Sequence, residues 1–262
     1  MRPGNILNSI RGCTLIGILM MNFTFLTNCD GSDVSDCFQT QGSQTEKFIQ
    51  LPEFSSILIN REIRAYIEQD DHYSIRIVTG ENLINEVTAI VEEGGLVVTD
   101  HNTCNFVRDY ETTTVYITAP DLKQIRSSTQ FDISSLGTLD YQELRLVSED
   151  FNQPDVFALG DFRLQLNTDE LDVVSNNISS FFLEGSVNNL YVGFFNGVGR
   201  FEGEELVAQH VLVSHRGSNN MILNPQQSIQ GEIRGAGDVI CVNRPAIVNV
   251  NEVYTGQLIF TD

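Results

Sequence analysis

Leu171-Asp172-Val173-Val174-Ser175-Asn176-Asn177-Ile178-Ser179-Ser180-Phe181-Phe182 is followed nineteen positions later by Leu190-Tyr191-Val192-Gly193-Phe194-Phe195-Asn196-Gly197-Val198-Gly199-Arg200-Phe201. Each stretch begins with an apolar residue, places asparagine six positions on, and reaches a second apolar residue after eleven. The same plan links Leu122 to Ile133, Leu146 to Phe157, Val211 to Ile222 and Ile229 to Ile240. The sixth positions of the six units are Ser128, Asn152, Asn177, Asn196, Gly217 and Gly235, all turn formers. Strand, tight turn and strand therefore recur, with unit starts separated by 24, 25, 19, 21 and 18 residues. Self-similarity near 20 residues marks a solenoid, in which each unit buries its apolar edge only against its neighbours.

Around these anchors the side chains alternate, as in Leu144-Arg145-Leu146 and Val211-Leu212-Val213. Alternation gives a strand one dry and one wet face. The spacing predicts an all-β protein whose residues 121–262 wind as a parallel β-helix. Asn152, Asn177 and Asn196 either stack as a side-chain ladder or form independent turns. Residues 246–250 and 258–260 are expected to close the C-terminal end. Upstream, residues 45–120 hold short apolar runs at 47–51, 56–60, 65–69, 73–78, 96–99 and 112–118, with 84–91 open to helix or strand. They are expected to begin the stack and cap it, because an uncapped solenoid exposes a strand edge.

The first 29 residues carry Arg2 and Arg11, no acid, and a mostly apolar run from Cys13 to Leu26. That run has the length of a signal segment and is too short to span a bilayer comfortably. Leu26-Thr27-Asn28-Cys29 resembles a bacterial lipobox, in which Cys29 becomes the lipidated first residue; Asn28 departs from the usual small residue. Residues 1–29 are thus expected to be a lipoprotein signal peptide, and residues 30–44 an acidic flexible tether. Acidic residues directly after the cysteine resemble the signal that sends some lipoproteins to the outer face of the outer membrane. Beyond the leader the balance is 13 basic to 35 acidic residues. Such a surface disfavours nucleic acid and suits a soluble, monomeric exported domain. With Cys13 in the leader and Cys29 at its end, Cys37, Cys104 and Cys241 remain. A Cys37–Cys104 disulfide is expected in an oxidising compartment, although three cysteines leave the pairing open.

Catalytic templates are absent. The chain has no Gly-x-Ser-x-Gly elbow and no His-Glu-x-x-His motif. His210 and His215 are five apart, so on one strand they point to opposite faces. Both are expected to be exposed polar residues, and no metal or cofactor is implied. Parallel β-helices often host polysaccharide lyases and hydrolases, for which Asp150, Asp161, Asp169, Glu170, Asp172 and Glu184 offer carboxylates and Arg145, Arg163 and Arg200 offer bases. These do not fall at one equivalent offset in successive units, so no catalytic residue is assigned. Tyr191 and Phe195 are the candidates for an exposed binding face.

The repeated units, together with Gly235-Ala236-Gly237-Asp238-Val239, resemble bacterial putative auto-transporter adhesins with a head GIN domain, over roughly residues 45–260. Gly235, Gly237 and Asp238 match that family's recurring Gly-Ser-Gly-Asp-Val turn, with Ala236 in place of serine. The segments around Cys37 and Cys104 are similar to paired segments in the family. The resemblance implies a right-handed parallel β-helix, export, and no established activity. The combined expectation is a non-catalytic surface lipoprotein engaged in adhesion through glycan or protein contact. A polysaccharide-cleaving enzyme and a periplasm-facing structural or sensing protein are the alternatives.

Overall fold

The structure, a computed structural model, describes residues 39–102, 104, 113–151 and 156–261. The leader, Cys29, the tether as far as Phe38 with Cys37 in it, and Asn152 lie outside the described residues. Alternating apolar and polar positions extend the chain into sixteen strands joined in one hydrogen-bonded sheet, with no α-helix among the described residues. Five strands dominate: β9 (Ile133–Ser148), β10 (Phe162–Ser175), β11 (Phe181–Phe194), β12 (Phe201–His215) and β13 (Met221–Ile233). Each pairs in parallel with the next.

The pairing continues past β13 along two separate paths. Met221–Leu223 pairs with β14 (Val239–Cys241), which pairs with β16 (Leu258–Phe260). Ser228–Ile233 pairs instead with β15 (Ile247–Glu252). The other end divides in the same way. The start of β9 pairs with β3 (Ile63–Glu68), and residues 145–147 pair with β8 (Gln124–Ser127). In addition β2 (Ser56–Ile59) lies parallel to both β8 and β6 (Gly95–Asp100), and β7 (Thr113–Thr118) lies parallel to β3. At this end antiparallel strands form the edges: β1 (Gln44–Gln50) beside β4 (Ser74–Gly80), and β5 (Val87–Glu92) beside β6. The ambiguous stretch 84–91 divides into a 3-10 turn, Ile84–Glu86, and most of β5.

The core is built of in-register columns. One holds Ile133, Phe162, Phe181, Phe201, Met221 and Val239, all fully buried. A second holds Leu144, Leu171, Leu190, Val211 and Ile229. The eleven-residue spacing thus identifies Leu171, Leu190, Val211, Ile229, Ile133 and Phe201 as column members. Leu122 and Leu146 are also fully buried but outside these two columns, and Phe157, Phe182, Ile222 and Ile240 are misplaced. Phe182 and Ile222 are half-buried because their neighbours Phe181 and Met221 take the inward positions. A one-residue slip on a strand moves a side chain to the opposite face. Leu146 pairs with Val173 and not with Leu171. Phe157 lies in a loop, its ring centroid 4.1 Å from the Arg61 guanidinium carbon.

Turns 176–180, 195–200, 216–220 and 234–238 lie in the same order as the strands they join. Main-chain bonds tie them together: Val198 N donates to Asn177 O at 3.0 Å, Ser218 N to Gly197 O at 3.0 Å, and Gly237 N to Gly217 O at 3.2 Å. Stacking therefore runs largely through the backbone, with Asn177 contributing its carbonyl, and the Asn219 side chain adds a bond to Val198 O at 2.5 Å. This packing requires glycine at Gly197, where φ is +89° and an added Cβ would lie 2.0 Å from Asn177 O.

Candidate functional site

Outward positions of the same strands form a continuous row. Gln124, Arg145, Asp172, Tyr191, Leu212, Gln230 and Asn249 are register partners on seven successive strands. Parallel strands lie about 4.8 Å apart, so this row crosses roughly 29 Å of surface. Tyr191 is half-buried near its centre, beside the exposed Leu212, in an open depression of about 320 Å³ that also touches His210. Burial pushes the Tyr191 phenol up, Asp172 adds to the rise, and Arg145 opposes it. Lys123 and Glu143 form an exposed ion pair at 2.5 Å beside the row.

Phe195 lies close to Tyr191 because Gly193 separates them. A Cβ on Gly193 would lie 2.7 Å from the Tyr191 hydroxyl and 3.0 Å from the Phe195 ring. Phe195 meets the exposed Phe151 edge to face, with centroids 6.3 Å apart. The two aromatic residues singled out by sequence therefore share one area, to which Phe151 adds a third ring.

A second site lies on another part of the surface. Between Ser134 and Thr138, β9 carries two residues more than β10 does between Arg163 and Gln165. Between Glu202 and Val207, β12 carries three more than β13 does between Ile222 and Asn224. These bulges wall an open cleft of about 550 Å³, with β10 and β11 as its floor. Gly137, at φ +82°, allows the first bulge to turn, and the Ser135 hydroxyl accepts a 2.9 Å bond from Gln165 N. On the floor the Arg163 guanidinium carbon sits 4.0 Å from the Phe182 ring centroid. Asp132 and Asp161 hold that guanidinium, at 2.8 and 3.3 Å. Burial raises the Asp161 carboxyl, the Ser180 main chain opposes this, and the charge of Asp132 adds to it. Glu184, Glu202, Glu204 and Glu205 complete the cleft, and Glu202 is paired with Arg200 at 2.6 Å.

The remaining singled-out residues have structural surroundings. In the turn at 234–238, Gly237 is buried, and an added Cβ would lie 2.1 Å from Asn219 O. Gly235 is buried in the same turn. Asp238 Oδ1 accepts from Gln257 N at 2.9 Å, and Asp238 N donates to Asn220 Oδ1 at 3.0 Å. This motif joins one turn to the next. His215, expected to be exposed, is fully buried at the end of β12, with its ring 6.3 Å from that of Phe194. It shares the inward parity of Val211 and Val213, while His210 faces out. Among the described residues neither His215 ring nitrogen makes a hydrogen bond of good geometry, and the Asn219 main chain is the polar group that acts on the ring. Cys104 is disulfide-bonded; Cys241 is a free, buried thiol.

Among the described residues, Asp70, Asp71 and His72 form a group whose ligand atoms lie within 4.8 Å of one another. Both carboxylates are exposed, and one turn offers at most three ligands where hard cations take six or more. Of the carboxylates weighed for polysaccharide cleavage, Asp150 bonds Asn176 and Asp169 bonds Asn188, whereas Asp161 and Glu184 lie with Arg163 at the cleft and Glu170 and Asp172 lie with Arg145 beside the row. Arg145 and Asp172 are a correction, because they occupy register-paired positions on adjacent strands. The long β9–β10 connection conceals that pairing in the sequence.

Sequence reasoning missed the cleft. Phe182 is assigned there to the core and Arg163 only to a scattered set of bases. The uneven unit spacings were the available signal, since extra residues within a repeat must bulge out of register.

A family model described as putative auto-transporter adhesin, head GIN domain, matches residues 53–245. The fold is similar to the crystal structure of a putative adhesin from Bacteroides fragilis, with a TM-score of 0.74 and 20% identity, covering 85% of this chain and 99% of that one. A putative adhesin from Parabacteroides merdae gives a TM-score of 0.54 at 17% identity, covering 85% and 98%. A protein described as a putative lipid binding protein from Parabacteroides distasonis gives 0.57 at 13%, covering 85% and 99%. Identities this low establish a shared fold alone. No curated protein matches the chain.

Proposed function

The chain belongs to the putative auto-transporter adhesin, head GIN domain family, and on that premise we propose that it is a non-catalytic binding protein displayed at the cell surface. In this reading lipid on Cys29 holds it to the outer membrane, and its exposed row contacts a protein or glycan partner. The observation that carries the reading is the in-register row from Arg145 through Tyr191 to Gln230, which sets an aromatic and an exposed leucine among charged and amide groups. Tyrosine and arginine are enriched at contact centres, and a polar rim around an aromatic anchor is common there.

We further propose that the strands wind as a right-handed β-solenoid. A straight 14-residue strand such as β10 would run about 46 Å. The five residues 176–180 reach at most about 20 Å, too short to return to its start. Each strand must therefore bend around the core, and parallel crossovers are right-handed in nearly all cases. Coiling turns the outward row into one flat side of a rigid rod.

Protease treatment of intact cells tests the display. Digestion of the domain without cell lysis is the expected result. Protection until the outer membrane is opened would contradict surface display and support the periplasm-facing alternative.

A further inference from the structure

We propose that the cleft between the β9 and β12 bulges binds a non-acidic sugar, either neutral or amino-bearing. Its volume of about 550 Å³ lies within the range of roughly 300–1,000 Å³ usual for small-ligand sites. The groups lining it suit a sugar ring. Phe182 lines the floor with an apolar ring, one face of which carries the Arg163 guanidinium, and Gln165 and Glu184 add planar polar groups to the lining. Such groups make paired hydrogen bonds with neighbouring hydroxyls. Among the described residues, neither the Gln165 side-chain amide nor the Glu184 carboxylate has a hydrogen-bond partner, so both are available to a ligand.

The site is also pre-arranged. Asp132 and Asp161 clamp Arg163 over Phe182, and Ser135 secures the first bulge to Gln165 N. With Arg163 and the bulge already fixed, a ligand has only Gln165, Glu184 and the wall glutamates left to order, which removes part of the cost of binding. Charge sets the class of sugar. Arg163 is already matched by two carboxylates, and Glu202 by Arg200. Glu184, Glu204 and Glu205 leave the walls negative. They repel uronates, sulfated sugars and phosphates, and they favour an amino group.

The inference rests on the binding role proposed above but uses a different surface from the Tyr191 row. The full chain is titrated calorimetrically with neutral, amino-bearing and uronic-acid oligosaccharides. Neutral or amino-bearing sugars should bind and uronic-acid sugars should not. Phe182→Ala and Gln165→Ala should each weaken binding at least tenfold, and Phe182→Tyr should retain it. Thermal melts of each variant separate lost binding from lost folding. Binding by none of the sugars, preference for the acidic ones, or unchanged binding by folded Phe182→Ala overturns the proposal. So does capture of a basic peptide in place of any sugar. If sugar binding is absent while cell attachment still depends on Tyr191, the cleft fails and the proposed contact row stands.

Discussion

The rings of Phe162 and Phe181 lie parallel, with centroids 4.9 Å apart and planes within 5° of each other. They are successive members of a fully buried column, whereas Phe182 projects from the outer face. Phe181→Ala should therefore cost on the order of 3–5 kcal/mol in chemical denaturation, and Phe182→Ala about 1 kcal/mol or less. Equal losses, or the reverse order, would refute this register.

Two turn glycines separate backbone strain from crowding. Gly94 has φ +76° with nothing within 4 Å of an added Cβ, and Gly197 has φ +89° with Asn177 O at 2.0 Å. Gly94→Ala should cost about 1–2 kcal/mol for the left-handed conformation alone. Gly197→Ala should cost clearly more, because the stacked turns must separate. Denaturation midpoints compare the two, and equal costs would mean the turns do not stack tightly.

Buried His215 makes stability depend on pH. Burial lowers its pKa from the ordinary 6.5, while the Asn219 main chain and Asp238 pull the other way. Below about pH 6.5 the unfolded chain takes up a proton at this position that the folded chain resists. Stability should therefore be complete above that pH and decline as pH falls toward the lowered folded value. His215→Phe should flatten this slope in urea midpoints measured between pH 5 and 8. An unchanged slope would exclude His215 as its source.

Burial also pushes the Cys241 thiol up to about 12. It should resist a thiol reagent at pH 8 in the native protein and react on unfolding. Peptide mapping without reductant is expected to show Cys104 joined to Cys37. Recovery of Cys104 with any other partner would refute that pairing.

Much of the architecture was legible because alternation and the roughly 20-residue period are properties of the backbone path. Leu171, Leu190, Val211 and Ile229 open successive repeats in the sequence and are register partners in the sheet. Legibility failed where two apolar residues adjoin, as at Phe181-Phe182 and Met221-Ile222, since alternation cannot say which of the pair turns inward. It failed at His215 because a polar residue with inward parity is still buried if the strand continues. The Tyr191 and Phe195 area was legible as outward aromatics in a turn-and-strand unit. The cleft was not, because it depends on register shifts between β9 and β10 and between β12 and β13. A register shift is a relation between two strands and leaves only an uneven repeat length in one.

Attachment of cells displaying the full chain tests the functional reading most directly. Cells carrying the wild type should attach to a partner surface, a protein- or glycan-coated layer. Cells carrying Tyr191→Ala with Leu212→Ser, at equal surface amount, should attach at least tenfold less. Attachment that is absent in the wild type, or undiminished in the double variant, would contradict a contact surface centred on Tyr191.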